Sequence, residues 1–316
     1  MNLFGDGPTK MLITVGICTW NRADLLDQTL TEMHGLDVPS GVEWELLVVN
    51  NNCTDNTDEV IGRHSRLLPI RRLFEPTPGK SHALNLAVGE SRGEYILWTD
   101  DDVLVNRNWM VAYCDAFRRH PEATFFGGPI EPLFAGTLPQ WLQQTWRQVA
   151  NAYAFRDFGN EPAQLHKRFL PCGANLAIRT EAQARYRYDG KLGPRPNSTL
   201  RGEELSLLQT MLADGHEGWW VPDAGVRHFT PKSRQTTRFL RGYFFGQGEH
   251  EGLLMHDNGV ALLAGRPRWL WKHAIEAEVK YRLRRLLCEP ETWIEDLKTA
   301  SYAWGRLKGY ASRDSN

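Results

Sequence analysis

EYILWTDDD, residues 94–102, is the stretch of sequence around which the fold can be built. Gly93 precedes an apolar, β-rich run, which predicts a buried strand that ends where the sequence becomes acidic. Ligands of open α/β sheets bind at the carboxyl ends of the strands, so the position of Asp100, Asp101 and Asp102 predicts a site. Adjacent carboxylates repel each other, and a divalent cation bound by hard oxygen ligands relieves that repulsion. A solvated acidic turn is the alternative that the triplet leaves open.

Composition sets the class of protein. The chain has 316 residues, with 37 basic and 38 acidic side chains, which is enough for one large α/β domain with or without a smaller appendage. The balanced charge gives no argument for nucleic acid as a partner. The 5 cysteines are scattered and odd in number, which is typical of reduced thiols. Residues 1–10 do not resemble a signal peptide, and no apolar run is long enough to cross a bilayer, so we expect a cytoplasmic protein.

Strands and helices alternate in the first part of the chain. Apolar runs predict strands at Met11–Thr19, Trp44–Val49 and Ile70–Phe74 ahead of the aspartate strand, and helical periodicity lies between them. This order implies right-handed crossovers and a mostly parallel sheet. The polar loops that follow the strands then meet at one edge.

Gly79-Lys80-Ser81 invites comparison with a phosphate-binding loop. That loop needs a glycine five positions before Gly79, and Phe74 stands there, so the motif is excluded. Lys80 near the start of a helix can still meet a phosphate as a point charge. An exposed surface lysine is the other interpretation.

Three further polar groups follow the aspartates. Gly173-Ala174-Asn175 lies in a turn of small residues, where a backbone can approach a ligand closely. Gly202-Glu203-Glu204 opens a predicted helix, and its carboxylates would also suit the helix dipole without any catalytic role. His228 follows a short apolar stretch and is a candidate ligand only if other ligand residues lie next to it.

The C-terminal part is predicted to be helical. Trp271, Ile275, Val279, Leu283 and Leu286 fall on one helical stripe, and Pro290 starts another helix. Basic residues lie largely away from this stripe: Lys272, Lys280, Arg282, Arg284 and Arg285. Basic amphipathic helices can lie on anionic membranes. Packing on the main domain with a charged face outward is the alternative.

Together, and in this order, these motifs resemble the family 2 inverting glycosyltransferases with the GT-A fold, from Met11 to about His228. The resemblance implies an α/β, Rossmann-like fold with a mostly parallel central sheet and a C-terminal helical extension. We expect a tail at 1–10, a GT-A domain at 11–232 and a helical region at 233–316. Within the domain, 11–127 would bind the nucleotide sugar and 128–232 the acceptor.

The resemblance also assigns roles to residues. Thr19-Trp20-Asn21-Arg22 resembles the loop that touches the nucleotide base, and Asn50 stands where the family commonly has the aspartate that receives the base's imide proton. Thr99-Asp100-Asp101-Asp102 matches the Asp-X-Asp motif, and Gly202-Glu203-Glu204 stands where the family has Gly-Glu-Asp. The candidate nucleotide- and donor-binding residues are Thr19, Asn21, Arg22, Asn50, Asn51, Lys80, Asp100, Asp101, Gly173, Ala174 and Asn175. The candidate metal ligands are Asp102, Asp100 and His228, for Mn²⁺ or Mg²⁺. Glu204 and Glu203 are the candidate catalytic residues, with Glu204 as general base.

The implied activity is inverting transfer of a sugar from a nucleoside-diphosphate sugar, with a UDP-sugar favoured, to a glycan or lipid-linked acceptor. Nucleic acid is not an expected partner, and peripheral contact with the inner face of the cell membrane through the basic C-terminal helices is a further expectation. A nucleotidyltransferase would need a glycine-rich basic loop after the first strand, where Thr19 to Arg22 stand. A non-catalytic sugar-nucleotide or glycan-binding module is the other alternative: the 12 tryptophans favour it, and the acidic residues at 100, 102 and 204 with His228 argue against it.

Overall fold

The computed structural model describes residues 10–190, 192–193, 202–256, 259 and 261–313. Its strands are β1 Met11–Thr19, β2 Val42–Asn50, β3 Ile70–Phe74, β4 Tyr95–Asp100, β5 Val103–Val105, β6 Phe125–Gly127, β7 Ile130–Phe134, β8 Ala163–Gln164, β9 Leu176–Arg179, β10 Gly218–Trp220, β11 Val226–Thr230, β12 Leu262–Leu263 and β13 Arg266–Pro267. Its α-helices are α1 Ala23–Met33, α2 Thr57–His64, α3 Lys80–Glu90, α4 Trp109–Arg119, α5 Gln140–Val149, α6 Thr180–Gln183, α7 Glu203–Ala213, α8 Thr237–Leu254, α9 Arg268–Leu287 and α10 Pro290–Ser312.

A large sheet organises the first part of the chain. Its strand order among the described residues is β3-β2-β1-β4-β9-β6-β10-β8. The four strands β3, β2, β1 and β4 run parallel, whereas β9 is antiparallel to both of its neighbours. The predicted parallel arrangement of the first four strands is confirmed. The ends of β1, β2 and β4 therefore meet at one edge, where Thr19, Asn50 and Asp100 are the last strand residues.

The sheet is buried on both faces, because alternate side chains of each strand point to opposite sides. On β4, Leu97 joins one apolar cluster, and Ile96 and Trp98 join the other. On β2, Val48 and Val49 divide in the same way. This double burial explains the nearly continuous apolar runs that predicted these strands.

The described residues group into two compact units. The first comprises 10–133, 154–190 and 202–229, and the second comprises 134–153, 192–193 and the described part of 230–313. The first unit contains the large sheet and the predicted site residues. The domain boundaries expected from the sequence, at 11–232 and 233–316, stay a prediction.

Helices α8 and α10 of the second unit approach each other at the level of their backbones. A Cβ atom placed on Gly248 would lie 2.0 Å from the carbonyl oxygen of Tyr302, and one on Gly305 would lie 2.0 Å from that of Phe245. Glycine is therefore required at these crossings. Among the described residues, no helix combines the length and the apolar character needed to cross a bilayer.

Helix α9 is apolar on two faces, and the face that packs differs from the stripe identified in the sequence. Leu270, Ala274, Ala277 and Tyr281 are buried against other helices of the second unit. The stripe residues beyond Trp271 are exposed instead: Ile275 50%, Val279 50%, Leu283 56% and Leu286 82%. Small alanine side chains let a neighbouring helix approach closely, and periodicity alone cannot rank two apolar faces of one helix.

Gly93 tests the packing of β4 against β1. A Cβ atom at this position would lie 2.4 Å from the backbone nitrogen of Thr14, which cannot move without breaking the sheet. We expect Gly93→Ala to lower the free energy of unfolding by about 2–4 kcal/mol, as overpacking and backbone displacement do. Urea denaturation followed by circular dichroism measures the change.

The matched control is Gly62→Ala in α2, where a Cβ atom meets nothing within 4 Å. Alanine favours the helix there, so stability should rise by about 0.5–1 kcal/mol. Equal effects of the two substitutions would contradict the close approach at Gly93.

Candidate functional site

Lys80 connects two carboxylates at the edge of the sheet. Its Nζ atom lies 2.8 Å from Oδ1 of Asp100 and 2.9 Å from Oε1 of Glu204. Asp100 ends β4, Lys80 begins α3, and Glu204 lies in the first turn of α7. Burial opposes ionisation of Asp100, but the Lys80 ammonium outweighs it and holds the pKa of this carboxyl below its usual value. The exposed-lysine interpretation of Lys80 is not what the structure shows.

Arg22 compensates the other two aspartates of the triplet. Its Nη1 atom donates to Oδ1 of Asp101 at 2.9 Å and to Oδ2 of Asp102 at 3.1 Å. Both aspartates are 3% exposed, so the acidic turn is buried rather than solvated. Burial raises the pKa of Asp101 to about 6 although the Arg22 charge lowers it. Asp101, which had no role in the sequence interpretation beyond donor binding, thus forms an ion pair with Arg22.

Asp100, Asp102 and His228 form a potential metal site. One ligand atom from each of them lies within 4.8 Å of the others. His228 lies on β11, opposite Val103 of β5, and the neighbouring Phe229 N–H donates to the Asp102 carbonyl at 2.8 Å. Nε2 of His228 lies 3.3 Å from Oδ1 of Asp102. Two carboxylates and one imidazole suit Mn²⁺, and the carboxylates also suit Mg²⁺.

The two glutamates at the start of α7 differ in their surroundings. Gly173 borders Glu204 so closely that a Cβ atom there would lie 2.2 Å from its Oε1 atom. Glu203 is 3% exposed, and its Oε2 atom accepts a hydrogen bond from the Gly202 N–H at 3.0 Å. Burial, followed by the charge of Glu204, raises the pKa of Glu203 to about 7. Of the two carboxylates, Glu204 is the one that faces Lys80 and Asp100.

Asn175 supports the small-residue turn from inside. Its Oδ1 atom accepts from Trp109 Nε1 at 2.8 Å and from Tyr113 Oη at 2.7 Å. Its Nδ2 atom donates to the carbonyls of Pro129 at 3.0 Å and Ala224 at 2.7 Å. The amide of Asn175 is therefore occupied by four internal hydrogen bonds. Ala174 precedes it, with its carbonyl accepting from the Thr99 hydroxyl at 3.2 Å.

Hydrogen bonds connect the loop after β1 to the loop after β2. Oδ1 of Asn21 accepts from the Thr54 N–H at 2.7 Å, and the Thr19 carbonyl accepts from the Asn51 N–H at 3.0 Å. Oδ1 of Asn51 in turn accepts from the Gly79 N–H at 2.8 Å, directly before Lys80. These contacts position the start of α3.

Asn50 has internal partners at both ends of its amide. Its Nδ2 atom donates to Oδ1 of Asp58 at 2.8 Å, and its Oδ1 atom accepts from the Cys53 N–H at 2.8 Å. Asp58 also pairs with Arg72, at 2.7 Å. A nucleotide base that uses Asn50 would have to compete with these bonds.

A pocket in the first unit joins several of these groups. Its lining residues are Cys18, Lys80, Leu84, Trp98, Thr99, Asp100, Gly173, Tyr188 and Glu204. Of the residues predicted from the sequence, it brings together Lys80, Asp100, Gly173 and Glu204, whereas the lining does not include Thr19, Asn21, Asn50 or Asn51.

Five lining residues were not among the predicted site residues: Cys18, Leu84, Trp98, Thr99 and Tyr188. Trp98 carries a signal, since it stands two residues before Asp100 in a strand and so points to the same face. Tyr188 lies outside every motif, and only the tertiary structure brings it to the pocket.

Known proteins with similar sequences share part of this site. The sequence profile described as Glycosyl transferase family 2 matches residues 14–186, which confirms the resemblance and includes the aspartates but neither Glu204 nor His228. A curated relative, the succinoglycan biosynthesis protein ExoM of Rhizobium meliloti (strain 1021), is 24% identical over 259 residues, or 79% of this chain and 77% of the relative.

Solved structures show the same fold. The mannosyltransferase PcManGT of Pyrobaculum calidifontis, in complex with GDP-Man and Mn²⁺, has a TM-score of 0.56 at 18% identity and covers 94% of this chain and 86% of its own. S. aureus TarS 1-349 in complex with UDP has a TM-score of 0.55 at 14% identity, and the match covers 97% of this chain and 92% of the TarS chain. The predicted GT-A fold is confirmed.

The adjacent aspartates offer a test of the metal site. We expect Asp102→Asn to weaken Mn²⁺ binding in the presence of UDP by about tenfold or more, because a carboxylate ligand is lost. Isothermal titration calorimetry measures the affinity. Asp101→Asn is the control, since it removes the same charge from a second partner of Arg22, whereas Asp101 lies outside the group of Asp100, Asp102 and His228. Equal affinity of Asp102→Asn and the parent protein would contradict the assignment.

Proposed function

Because this chain belongs to glycosyl transferase family 2, we propose that it is a metal-dependent inverting glycosyltransferase that acts on a nucleoside-diphosphate sugar. The acceptor is a hydroxyl of a glycan or of a lipid-linked molecule. One observation carries the proposal: Glu204 and Asp100 meet in one pocket, linked by Lys80. Family membership favours glycosyl transfer over both rival interpretations, nucleotidyl transfer and non-catalytic sugar binding.

Glu204 acts as the general base. Its carboxylate takes the proton of the acceptor hydroxyl while the hydroxyl oxygen attacks the anomeric carbon of the donor. The bond from that carbon to the diphosphate oxygen breaks, and its electron pair leaves with the diphosphate. Attack opposite to the leaving group inverts the anomeric carbon, so one base is sufficient and no protein nucleophile is needed.

The remaining charged groups prepare the pocket. Lys80 fixes the Glu204 carboxylate and offsets part of the negative charge of Glu204 and Asp100. Asp102, Asp100 and His228 would hold the divalent cation, which when bound neutralises the negative charge of the departing diphosphate. Asn175 positions the turn that carries Gly173, and only glycine leaves room there for Glu204.

We favour a UDP-sugar as donor, and a GDP-sugar is the alternative to test with it. TarS was solved with UDP and with UDP-GlcNAc, and PcManGT with GDP-Man. The amide oxygen of Asn50 accepts from the Cys53 N–H in this structure. It can accept from a nucleotide base instead if that hydrogen bond breaks.

Glu204→Gln separates binding from catalysis. The amide keeps the shape of the side chain but cannot accept a proton, so donor turnover should fall about 10²–10⁴-fold while donor affinity changes little. Release of nucleoside diphosphate from UDP-glucose, UDP-GlcNAc and GDP-mannose with Mn²⁺ measures turnover without a known acceptor.

Glu181→Gln is the matched control for this substitution, because Glu181 is an exposed residue of α6 paired with Arg185. Turnover by Glu204→Gln close to that of this control would refute Glu204 as the base.

We also propose that the second unit contacts an anionic membrane surface through α9. Ile275, Val279, Leu283 and Leu286 form an exposed apolar stripe opposite the packed face of this helix. The helix carries six basic residues, at 268, 272, 280, 282, 284 and 285, against two acidic residues, at 276 and 278. Asp296 of α10 pairs with two of these basic residues and leaves a positive excess. Anionic lipid complements that charge, whereas a second copy of the chain would repeat it.

Vesicle sedimentation tests this surface. The parent protein should sediment with phosphatidylcholine vesicles that contain phosphatidylglycerol, and less so with phosphatidylcholine alone. Ile275→Gln/Val279→Gln/Leu283→Gln should reduce the partition coefficient at least about tenfold, because apolar contact with the bilayer is lost. Leu67→Gln, at a residue 74% exposed in the first unit, is the control.

A parent protein that stays in solution with anionic vesicles would disprove membrane contact. Dimerisation of the parent that the triple substitution abolishes, measured by light scattering, would instead assign the stripe to a second copy.

A further inference from the structure

Two histidines meet at the carboxyl ends of α1 and α2, outside the site described above. His34 follows the last residue of α1, and His64 is the last residue of α2. Nε2 of His34 lies 2.9 Å from Nδ1 of His64, and the ring centroids are 5.0 Å apart. His64 is 6% exposed, whereas His34 is exposed at the surface. The pair therefore combines one ring fixed by its surroundings with one ring at the surface.

Asp27 orients the buried ring from the other side. Its Oδ1 atom lies 2.7 Å from Nε2 of His64, and it also accepts from Nη2 of Arg63 at 2.9 Å. An ionised carboxylate only accepts, so Nε2 of neutral His64 carries the hydrogen and Nδ1 directs its lone pair towards His34. Metal-bound histidines commonly donate their other ring N–H to a carboxylate, which fixes the tautomer and makes the ligand nitrogen more basic. Asp27 and His64 have this arrangement.

The distance between the two ring nitrogens suits a shared metal ion. Bonds from a metal ion to imidazole nitrogen are about 2.0–2.1 Å long, so two such nitrogens are about 2.9 Å apart at a right angle and about 3.3 Å apart in a tetrahedron. The observed separation is 2.9 Å, and the exposed His34 side chain is able to turn towards the ion. Imidazole ligands suit Zn²⁺, Ni²⁺ and Cu²⁺, whereas carboxylate and water ligands suit Mg²⁺ and Mn²⁺.

We propose that His34 and His64 bind a divalent transition-metal ion of the class of Zn²⁺, Ni²⁺ and Cu²⁺, with Asp27 as the residue that positions His64. The ion replaces the hydrogen between the two nitrogens. That hydrogen moves from Nε2 to Nδ1 of the His34 ring through solvent, so neither histidine changes its charge, and water completes the coordination. The site is separate from Asp100, Asp102 and His228, and it does not depend on the proposed function.

His34→Ala tests the site, because it removes the exposed ligand and leaves the buried ring in place. Calorimetric titration with NiCl₂ measures the affinity, in protein without a histidine tag because a tag would bind the probe. Affinity for Ni²⁺ at this site should fall at least about tenfold, as loss of a ligand predicts. The same loss should occur in an Asp102→Asn background, where the acidic group is weakened. Mn²⁺ affinity should not change, since Asp100, Asp102 and His228 are retained.

His273→Ala is the matched control, because His273 is an exposed histidine of α9. It should leave Ni²⁺ affinity unchanged. Asp27→Asn keeps an oxygen that accepts from His64 but removes the charge, so it should lower Ni²⁺ affinity roughly tenfold.

Nuclear magnetic resonance provides a second measurement on the unsubstituted protein. Cu²⁺ added below one equivalent should broaden the imidazole signals of His34 and His64, while the signal of His273 stays sharp. Ni²⁺ affinity that His34→Ala leaves unchanged, or His34 and His64 signals that stay sharp, would overturn the inference. Neither result bears on glycosyl transfer, which the Glu204→Gln experiment tests.

Discussion

Compensation of buried carboxylates by two cations is the constraint on which the rest of the site depends. Lys80 lies between Asp100 and Glu204, and Arg22 binds Asp101 and Asp102. An isolated charge in a protein interior is strongly unfavourable, so each carboxylate needs a nearby positive charge. The loops after β1 and β4 and the starts of α3 and α7 must therefore converge. These four carboxylates still outnumber the two cations, so a diphosphate would enter this site together with its metal ion.

Amide side chains provide the second level of organisation. Asn51 holds the Gly79 backbone just before Lys80, and Asn175 holds the turn that contains Gly173. Asn85 holds the backbone of Tyr188. An asparagine amide can donate and accept at the same time, so each of these side chains can bond to the backbone of another segment of the chain. These residues act by positioning the groups of the pocket.

The two compact units carry different kinds of chemistry. The first unit contains the sheet, the pocket and the metal candidates. The second is held by close helix crossings at glycines such as Gly248 and Gly305, and it exposes the apolar stripe of α9. The family resemblance accounts for the sheet and the acidic residues of the first unit. The apolar stripe of the second unit is instead identified from the exposure of its side chains.

The sequence by itself determined the alternation of strands and helices up to Asp100 and the family, because apolar runs, turns and the acidic triplet are local signals. It also identified Lys80 and Glu204 as candidates. An exposed surface lysine and a carboxylate that stabilises a helix N-terminus remained the alternative interpretations. Tertiary structure alone decided that the Lys80 ammonium bridges Asp100 and Glu204, that Arg22 pairs with Asp101 and Asp102, and that Tyr188 lines the pocket.

Tertiary structure likewise decided which apolar face of α9 is buried. Periodicity shows that a helix has an apolar face, but the choice between two such faces depends on the neighbour that covers one of them. Contacts between residues distant in the chain have no local signature. The sequence therefore predicted the framework and the acidic edge, and the fold decided how the side chains are paired there.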